Sequence, residues 1–230
     1  RHALERYLDL IAQVGVFVNE PDLKFSLPAE AQNKVEKVLR QHGLTSSPLV
    51  VIHPVAKWPT KQWPLENFAQ LADNLVGKGA SLVFTGSPDD REAVQSILGQ
   101  IQNHQRVVNL AGKTGLKELA GLFSLADLVL TPDTGPMHLA AAVQAPLIAL
   151  FGPTAPWRTG PYGNNHVILR KPLACSPCFK KKCPTMECMK SLSVEEVLEA
   201  VEKKLWNADC RMPNKIIQEL NPNSAIRNPH

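Results

Sequence analysis

Two stretches of this sequence hold chemically active residue types at short spacing. The first is Leu128-Val-Leu-Thr-Pro-Asp133-Thr134-Gly135-Pro136-Met137-His138-Leu-Ala-Ala-Ala-Val143. An apolar run ends at a carboxylate, turns through Thr134-Gly135 and restarts as a helix with proline in its first turn. The unpaired N–H groups of such a helix start, reinforced by the helix dipole, attract a phosphate, and Gly135 permits close backbone approach. Asp133 would repel a phosphate unless its carboxylate faced hydroxyls, which assigns it to a sugar ring. His138 is then placed to donate to a phosphate oxygen. Taken singly, Asp133-Thr134 reads equally as ordinary capping and His138 as a solvated ring.

The second stretch is Cys175-Ser-Pro-Cys178-Phe179-Lys180-Lys181-Lys182-Cys183-Pro-Thr-Met-Glu-Cys188, with the spacing C-x2-C-x4-C-x4-C. This is close to a zinc knuckle with Cys183 at the histidine position, and the lysines favour deprotonated sulfur. Free or partly paired thiols are the preferred reading, with zinc at these four cysteines as its alternative. Four of the five cysteines fall within 14 residues, a local device and not a disulfide framework, which fits a reducing compartment. The basic loop suits an anionic partner or an anionic membrane surface. A rival reading, a knuckle that binds RNA on an α/β scaffold, is weakened because Phe179 is the one aromatic available for stacking.

These residues need elements to position them. Apolar runs recur at Leu49–His53, Ser81–Thr85, Val107–Leu110, Leu128–Thr131, Leu147–Phe151 and His166–Leu169, separated by helical patterns at Pro64–Lys78, Asp89–Gln102 and Leu116–Leu125. Strands alternating with helices of this length predict βαβ units, hence a Rossmann-like, doubly wound parallel sheet whose carboxyl edge binds ligands. Three more loops end at that edge: Val55 to Pro64 with Lys61, Thr85 to Asp90 with Asp89 and Asp90, and Leu110 to Gly115 with Thr114. No G-x-G-x-x-G follows the first strand, where His53-Pro54 stands, which argues against a nicotinamide dehydrogenase.

Residues 1–45 read as a connector with leading helices, 46–209 as the nucleotide-binding domain closed by a helix that Ser193 caps, and 210–230 as an irregular tail. Arg1-His2-Ala3-Leu4-Glu5 is neither a signal peptide nor a natural start. With 25 basic against 21 acidic residues, net charge alone implies no nucleic-acid partner. No run approaches the roughly 18 apolar residues of a membrane helix.

The run from Asp133 to Ala142, followed by a strand ending in Phe151-Gly152-Pro153-Thr154, closely resembles the signature of glycosyltransferase family 9, which includes ADP-heptose:lipopolysaccharide heptosyltransferases. Lys61-Gln-Trp63-Pro64 matches that family's Lys-x-Trp-Pro element, and the resemblance runs from about Leu49 to Val201. It implies the C-terminal, donor-binding half of a two-domain GT-B enzyme, similar to heptosyltransferase II. Substrate contacts carried over by resemblance are Lys61 to the donor diphosphate, Thr114 lining the base, and Asp133, Thr134, Gly135 and His138 around the sugar and phosphates. Asp89 and Asp90 are further candidates for ribose hydroxyls, or simply helix caps. The family has small or hydroxyl residues where this chain has Ala56-Lys57-Trp58.

Such enzymes invert the anomeric centre without a covalent intermediate. Lys61 and the helix start would stabilise the leaving ADP without a metal, and no Asp-x-Asp motif accompanies the site. The general base is expected in the N-terminal acceptor domain, so no catalytic residue is assigned here beyond a supporting role for Asp133. The implied partners are ADP-heptose, the lipopolysaccharide core acceptor and that N-terminal domain, in the cytoplasm or at the inner face of the inner membrane.

Overall fold

The computed structural model describes residues 1–18, 21, 23 and 25–206. Six strands, β1 (Leu49–Ile52), β2 (Ser81–Phe84), β3 (Val107–Asn109), β4 (Leu128–Pro132), β5 (Leu147–Phe151) and β6 (His166–Arg170), form one sheet in the order β3-β2-β1-β4-β5-β6. Every pairing is parallel, with Val50 beside Leu82 and Leu128 in the centre. The helices are α1 (Ala3–Ala12), α2 (Ala29–Gln41), α3 (Leu65–Gly77), α4 (Arg91–Leu98), α5 (Leu116–Leu125), α6 (Gly135–Ala142), α7 (Pro156–Thr159), α8 (Glu187–Lys190) and α9 (Val194–Leu205). The Rossmann-like, doubly wound sheet expected from the alternation is therefore present.

Why the central runs are apolar throughout follows from burial on both faces. Val50, Ile52, Leu82, Phe84, Leu128 and Leu130 pack with Phe68, Leu71 and Leu75 of α3, Val94 and Ile97 of α4, and Val197 and Val201 of α9. The alternate residues, Leu49, Val51, Val83, Val129 and Leu147, pack with α2, α5 and α6 through Val35, Leu39, Leu122, Phe123 and Met137. The outermost strands β3 and β6 are only partly buried.

The chain winds outward in both directions from β1 and β4. Their diverging connections open a crevice at the carboxyl edge, the place where open α/β sheets take ligands. Lys61, Asp133 and the start of α6 lie at that edge.

Two elements depart from the periodicity reading. The helix expected over Asp89–Gln102 starts later and stops at Leu98, because Ser87 and Asp90 form a capping box around a short 3-10 turn and Gly99 ends the helix. Within the expected connector, α2 buries Ala31, Val35 and Leu39 and belongs to the core. Its backbone lies so near α5 that a Cβ at Gly121 would sit 3.3 Å from the Ala31 carbonyl oxygen. By contrast α1 buries none of its residues. Ser193 caps α9 as expected, its Oγ accepting from the Glu196 N–H. The tail from 210 to 230 and Cys210 lie outside the described residues. Among the described residues no helix is long and apolar enough to cross a membrane.

Candidate functional site

The turn after β4 places Asp133 at the crevice with its backbone N–H bonded to the Leu150 carbonyl, so strand pairing fixes the residue before α6 begins. The carboxylate is 5% exposed. Its Oδ2 lies 2.7 Å from Lys61 Nζ and accepts a 2.7 Å hydrogen bond from Thr154 Oγ1, which follows β5. Lys61, expected at a diphosphate, and Asp133, expected at a sugar, are thus a pair across the β1–β4 crevice. Breaking such a partly buried pair costs more than forming it gains, because the survivor keeps its desolvation penalty. Among the described residues, Asp133 Oδ1 carries no hydrogen bond.

Lys61 reaches this position because its loop is rigid. Trp63 is fully buried, donates from Nε1 to the Leu192 carbonyl at 2.8 Å, and meets Phe68 edge-on at 4.8 Å. Gln62 ties the loop to its own start, accepting from the Ala56 N–H and donating to the Pro54 carbonyl. Trp58 lies between two ammonium groups, Lys61 at 4.7 Å and Lys181 at 5.0 Å from the ring centre. The unusual Ala56-Lys57-Trp58 sequence therefore supplies a platform for Lys61.

Thr134 is the N-cap of α6, extended at φ −141°, and its Oγ1 lies 3.2 Å from Thr131 Oγ1. A Cβ at Gly135 would meet nothing within 4 Å. The fold itself does not demand glycine there, and the space above the helix start is open. His138 stands exposed one turn further on. Its pKa is lowered, first by partial burial of the ring and then by the nearby His2 and Lys61, with Asp133 opposing.

Other candidates are farther away. Thr114 lines a cavity of about 260 Å³ between α2 and the end of β3, together with Val35, Val38, Asn109 and Leu110. It lies three strand positions from Asp133, about 14 Å along the edge. Asp90 Oδ2 accepts from both the N–H and Oγ of Ser87, so this carboxylate is largely occupied as a cap, while Asp89 stays exposed. Sequence reading did not single out His53. The ring is buried at the end of β1, its Nδ1 lies 3.1 Å from Thr85 Oγ1, and burial lowers its pKa to about 4. A polar residue ending an otherwise apolar strand was its available signal.

The cysteine loop does not gather a ligand set. Cys175, Cys178, Cys183 and Cys188 are free thiols, and among the described residues no group of three or more His, Cys, Asp or Glu is arranged to hold a metal. Cys188 points inward against the end of β5, 3.0 Å from where a Cβ on Gly152 would be, whereas Cys175 is exposed. Cys183 Sγ accepts the Met186 N–H, which lowers its pKa, and burial raises that of Cys188. The zinc alternative drawn from the spacing finds no support in this arrangement. The loop instead braces the site: the N–H groups of Cys178 and Phe179 both bond the Pro153 carbonyl, and Thr60 Oγ1 donates to the Lys180 carbonyl at 2.8 Å.

Residues 1–189 match the family model of glycosyltransferase family 9 (heptosyltransferase). Lipooligosaccharide heptosyltransferase 2 of Campylobacter jejuni is 32% identical over 90% of this chain and 65% of its own length. The glycosyl transferase family 9 structure from Veillonella parvula superposes with a TM-score of 0.78 at 30% identity, over 89% of this chain and 60% of that one. The structure of E. coli ADP-heptose lps heptosyltransferase II gives 0.67 at 29% identity, over 79% and 53%. The chain thus spans between about half and two thirds of the length of these relatives. None of these matches supports the RNA-binding alternative. By family match and by likeness along most of its length, this chain belongs to glycosyltransferase family 9.

Proposed function

We propose that this chain is the donor-binding half of a GT-B heptosyltransferase that transfers heptose from ADP-heptose to the lipopolysaccharide inner core with inversion. The observation that carries this reading is the Lys61–Asp133 pair at the mouth of the β1–β4 crevice, beside an unobstructed helix start at Gly135. A diphosphate entering there takes its anionic oxygens to the α6 N–H groups and to Lys61. Asp133 Oδ1 accepts from a hydroxyl of the sugar, and Thr154 keeps the carboxylate turned in that direction. Because Asp133 already faces an ammonium, its charge does not repel the diphosphate.

As the glycosidic bond breaks, negative charge grows on the departing ADP, and Lys61 with the α6 dipole stabilises it without a metal. His138, neutral at pH 7, donates to a phosphate oxygen. Thr114 lines the base, and Asp89 remains available to ribose. The general base that deprotonates the acceptor hydroxyl belongs to the N-terminal domain of the same enzyme. The acceptor is membrane-anchored, so the enzyme works in the cytoplasm at the inner face of the inner membrane, with Lys180, Lys181 and Lys182 toward anionic groups.

Thermal-shift and calorimetric titrations of the chain with ADP, UDP, GDP and ADP-heptose test the reading, since a ligand that binds the folded state raises its stability. ADP and ADP-heptose should stabilise it in preference to the others, and Asp133→Ala should weaken ADP-heptose more than ADP. Equal response to all three nucleoside diphosphates would contradict it.

A further inference from the structure

His53 is an unusual polar group for its position. It continues β1 beyond Ile52, its N–H bonded to the Leu130 carbonyl at 2.9 Å, and its ring lies on the α5–α6 side of the sheet edge by strand alternation from Val51. It is 6% exposed. Nδ1 lies 3.1 Å from Thr85 Oγ1, and that hydroxyl is in turn positioned to donate to the Ile52 carbonyl at 3.3 Å. With the proton on Nδ1 both of these hydrogen bonds are made. With the proton on Nε2, Thr85 must donate to Nδ1 and its bond to the Ile52 carbonyl is lost, so the first tautomer is favoured.

Nε2 is then a lone-pair acceptor with no partner among the described residues. It is not sealed in: the one fully enclosed side-chain N or O atom without a partner among the described residues is Arg170 Nε, at the end of β6. What remains accessible of His53 therefore opens at the carboxyl edge, between the ends of β2 and β4. Burial keeps the ring neutral, with a pKa of about 4. A neutral acceptor does not attract phosphate oxygens, which only accept, but it does attract hydroxyls.

Strand order names the hydroxyl. On the donor-site reading above, the diphosphate sits at the start of α6, after β4, and the base near Thr114, after β3. Between them along the edge lie the ends of β1 and β2. The part of a nucleotide that spans this interval is its ribose. We propose that His53 accepts a hydrogen bond through Nε2 from a ribose hydroxyl of the bound nucleotide, and so selects ribonucleotides over their deoxy forms. This rests on the donor-site reading.

Calorimetric titration of ADP, 2′-deoxy-ADP and 3′-deoxy-ADP into the wild-type chain, His53→Asn and His53→Gln tests it. Asn retains the donor to Thr85 and removes the acceptor, whereas Gln places an amide oxygen near the position of Nε2. Wild type should bind one of the deoxy nucleotides about fivefold more weakly than ADP, the loss of one neutral hydrogen bond. His53→Asn should lose that same factor on ADP and nothing further on that analogue, with partial recovery in His53→Gln.

Equal loss by His53→Asn on all three nucleotides, or no discrimination by wild type, would overturn the proposal while leaving the donor site intact. No ADP binding by wild type would instead overturn the donor-site reading, and this proposal with it. Imidazole 15N shifts of the wild-type chain give a test that needs no variant: protonated Nδ1 is expected, and protonated Nε2 would contradict it.

Discussion

The ends of the neighbouring strands β4 and β5 use glycine in opposite ways. At Gly135 an added Cβ would meet nothing within 4 Å, whereas at Gly152 it would collide with Met189 Sδ at 2.5 Å and Cys188 Sγ at 3.0 Å. One glycine leaves space outside the protein, and the other is filled by it. The polar groups divide in the same way. His53 Nε2 and Asp133 Oδ1 face the crevice without partners among the described residues, while around β5 Ser176 Oγ bonds the Gly152 carbonyl and two N–H groups bond Pro153. An edge that is braced on one side and unfilled on the other is ready to receive a ligand only on the unfilled side.

The largest effect that would sharpen this contrast is a pH dependence on the crevice side. His53 titrates near 4 when folded against an ordinary 6.5, so the unfolded chain takes up its proton first. Stability is therefore unaffected by this group above pH 6.5, falls as pH drops from 6.5 toward 4, and loses up to about 3 kcal/mol overall. Chemical unfolding at stepped pH should show that slope, and His53→Gln should flatten it. On the braced side, Gly152→Ala should cost about 2 kcal/mol through overpacking, seen as a melting temperature lower by several degrees.

Gly135→Ala should do the reverse: its stability should change by less than about 0.5 kcal/mol while ADP affinity falls about tenfold, because the methyl group occupies ligand space. Loss of several degrees of melting temperature in Gly135→Ala, or none in Gly152→Ala, would contradict this difference between the two strand ends. Smallest of all, Cys183→Ser should alter stability by less than about 0.5 kcal/mol, and added zinc should raise the melting temperature of neither form. A zinc-dependent increase lost in the serine variant would restore the knuckle.

The sheet was legible because its apolar runs are continuous and separated by stretches long enough for a helix or loop, and the boundaries of β5 coincide with the run itself. The turn at Asp133 was legible for the same reason, since proline and glycine punctuate the end of an apolar strand. What sequence does not carry is the direction in which side chains converge. Lys61 and Asp133 lie 72 positions apart in the sequence, and only the crossover that sets β1 beside β4 pairs them. The docking of α2 onto the core was hidden because just Ala31, Val35 and Leu39, among many charged residues, mark its buried face. The cysteine spacing suggested a ligand set but could not reveal that Cys188 turns into the core. His53 looked like any strand-end polar residue until Thr85 and Ile52 were seen to fix its ring.

On the donor-site reading, Lys61 and the open start of α6 receive a diphosphate. Its most direct test is the ratio of ADP to AMP affinity, measured by calorimetry on the wild-type chain and on Lys61→Ala. Wild type should prefer ADP by about thirtyfold, as expected for a charge-assisted contact to the second phosphate, and Lys61→Ala should largely remove the preference. An unchanged ratio in Lys61→Ala would contradict it.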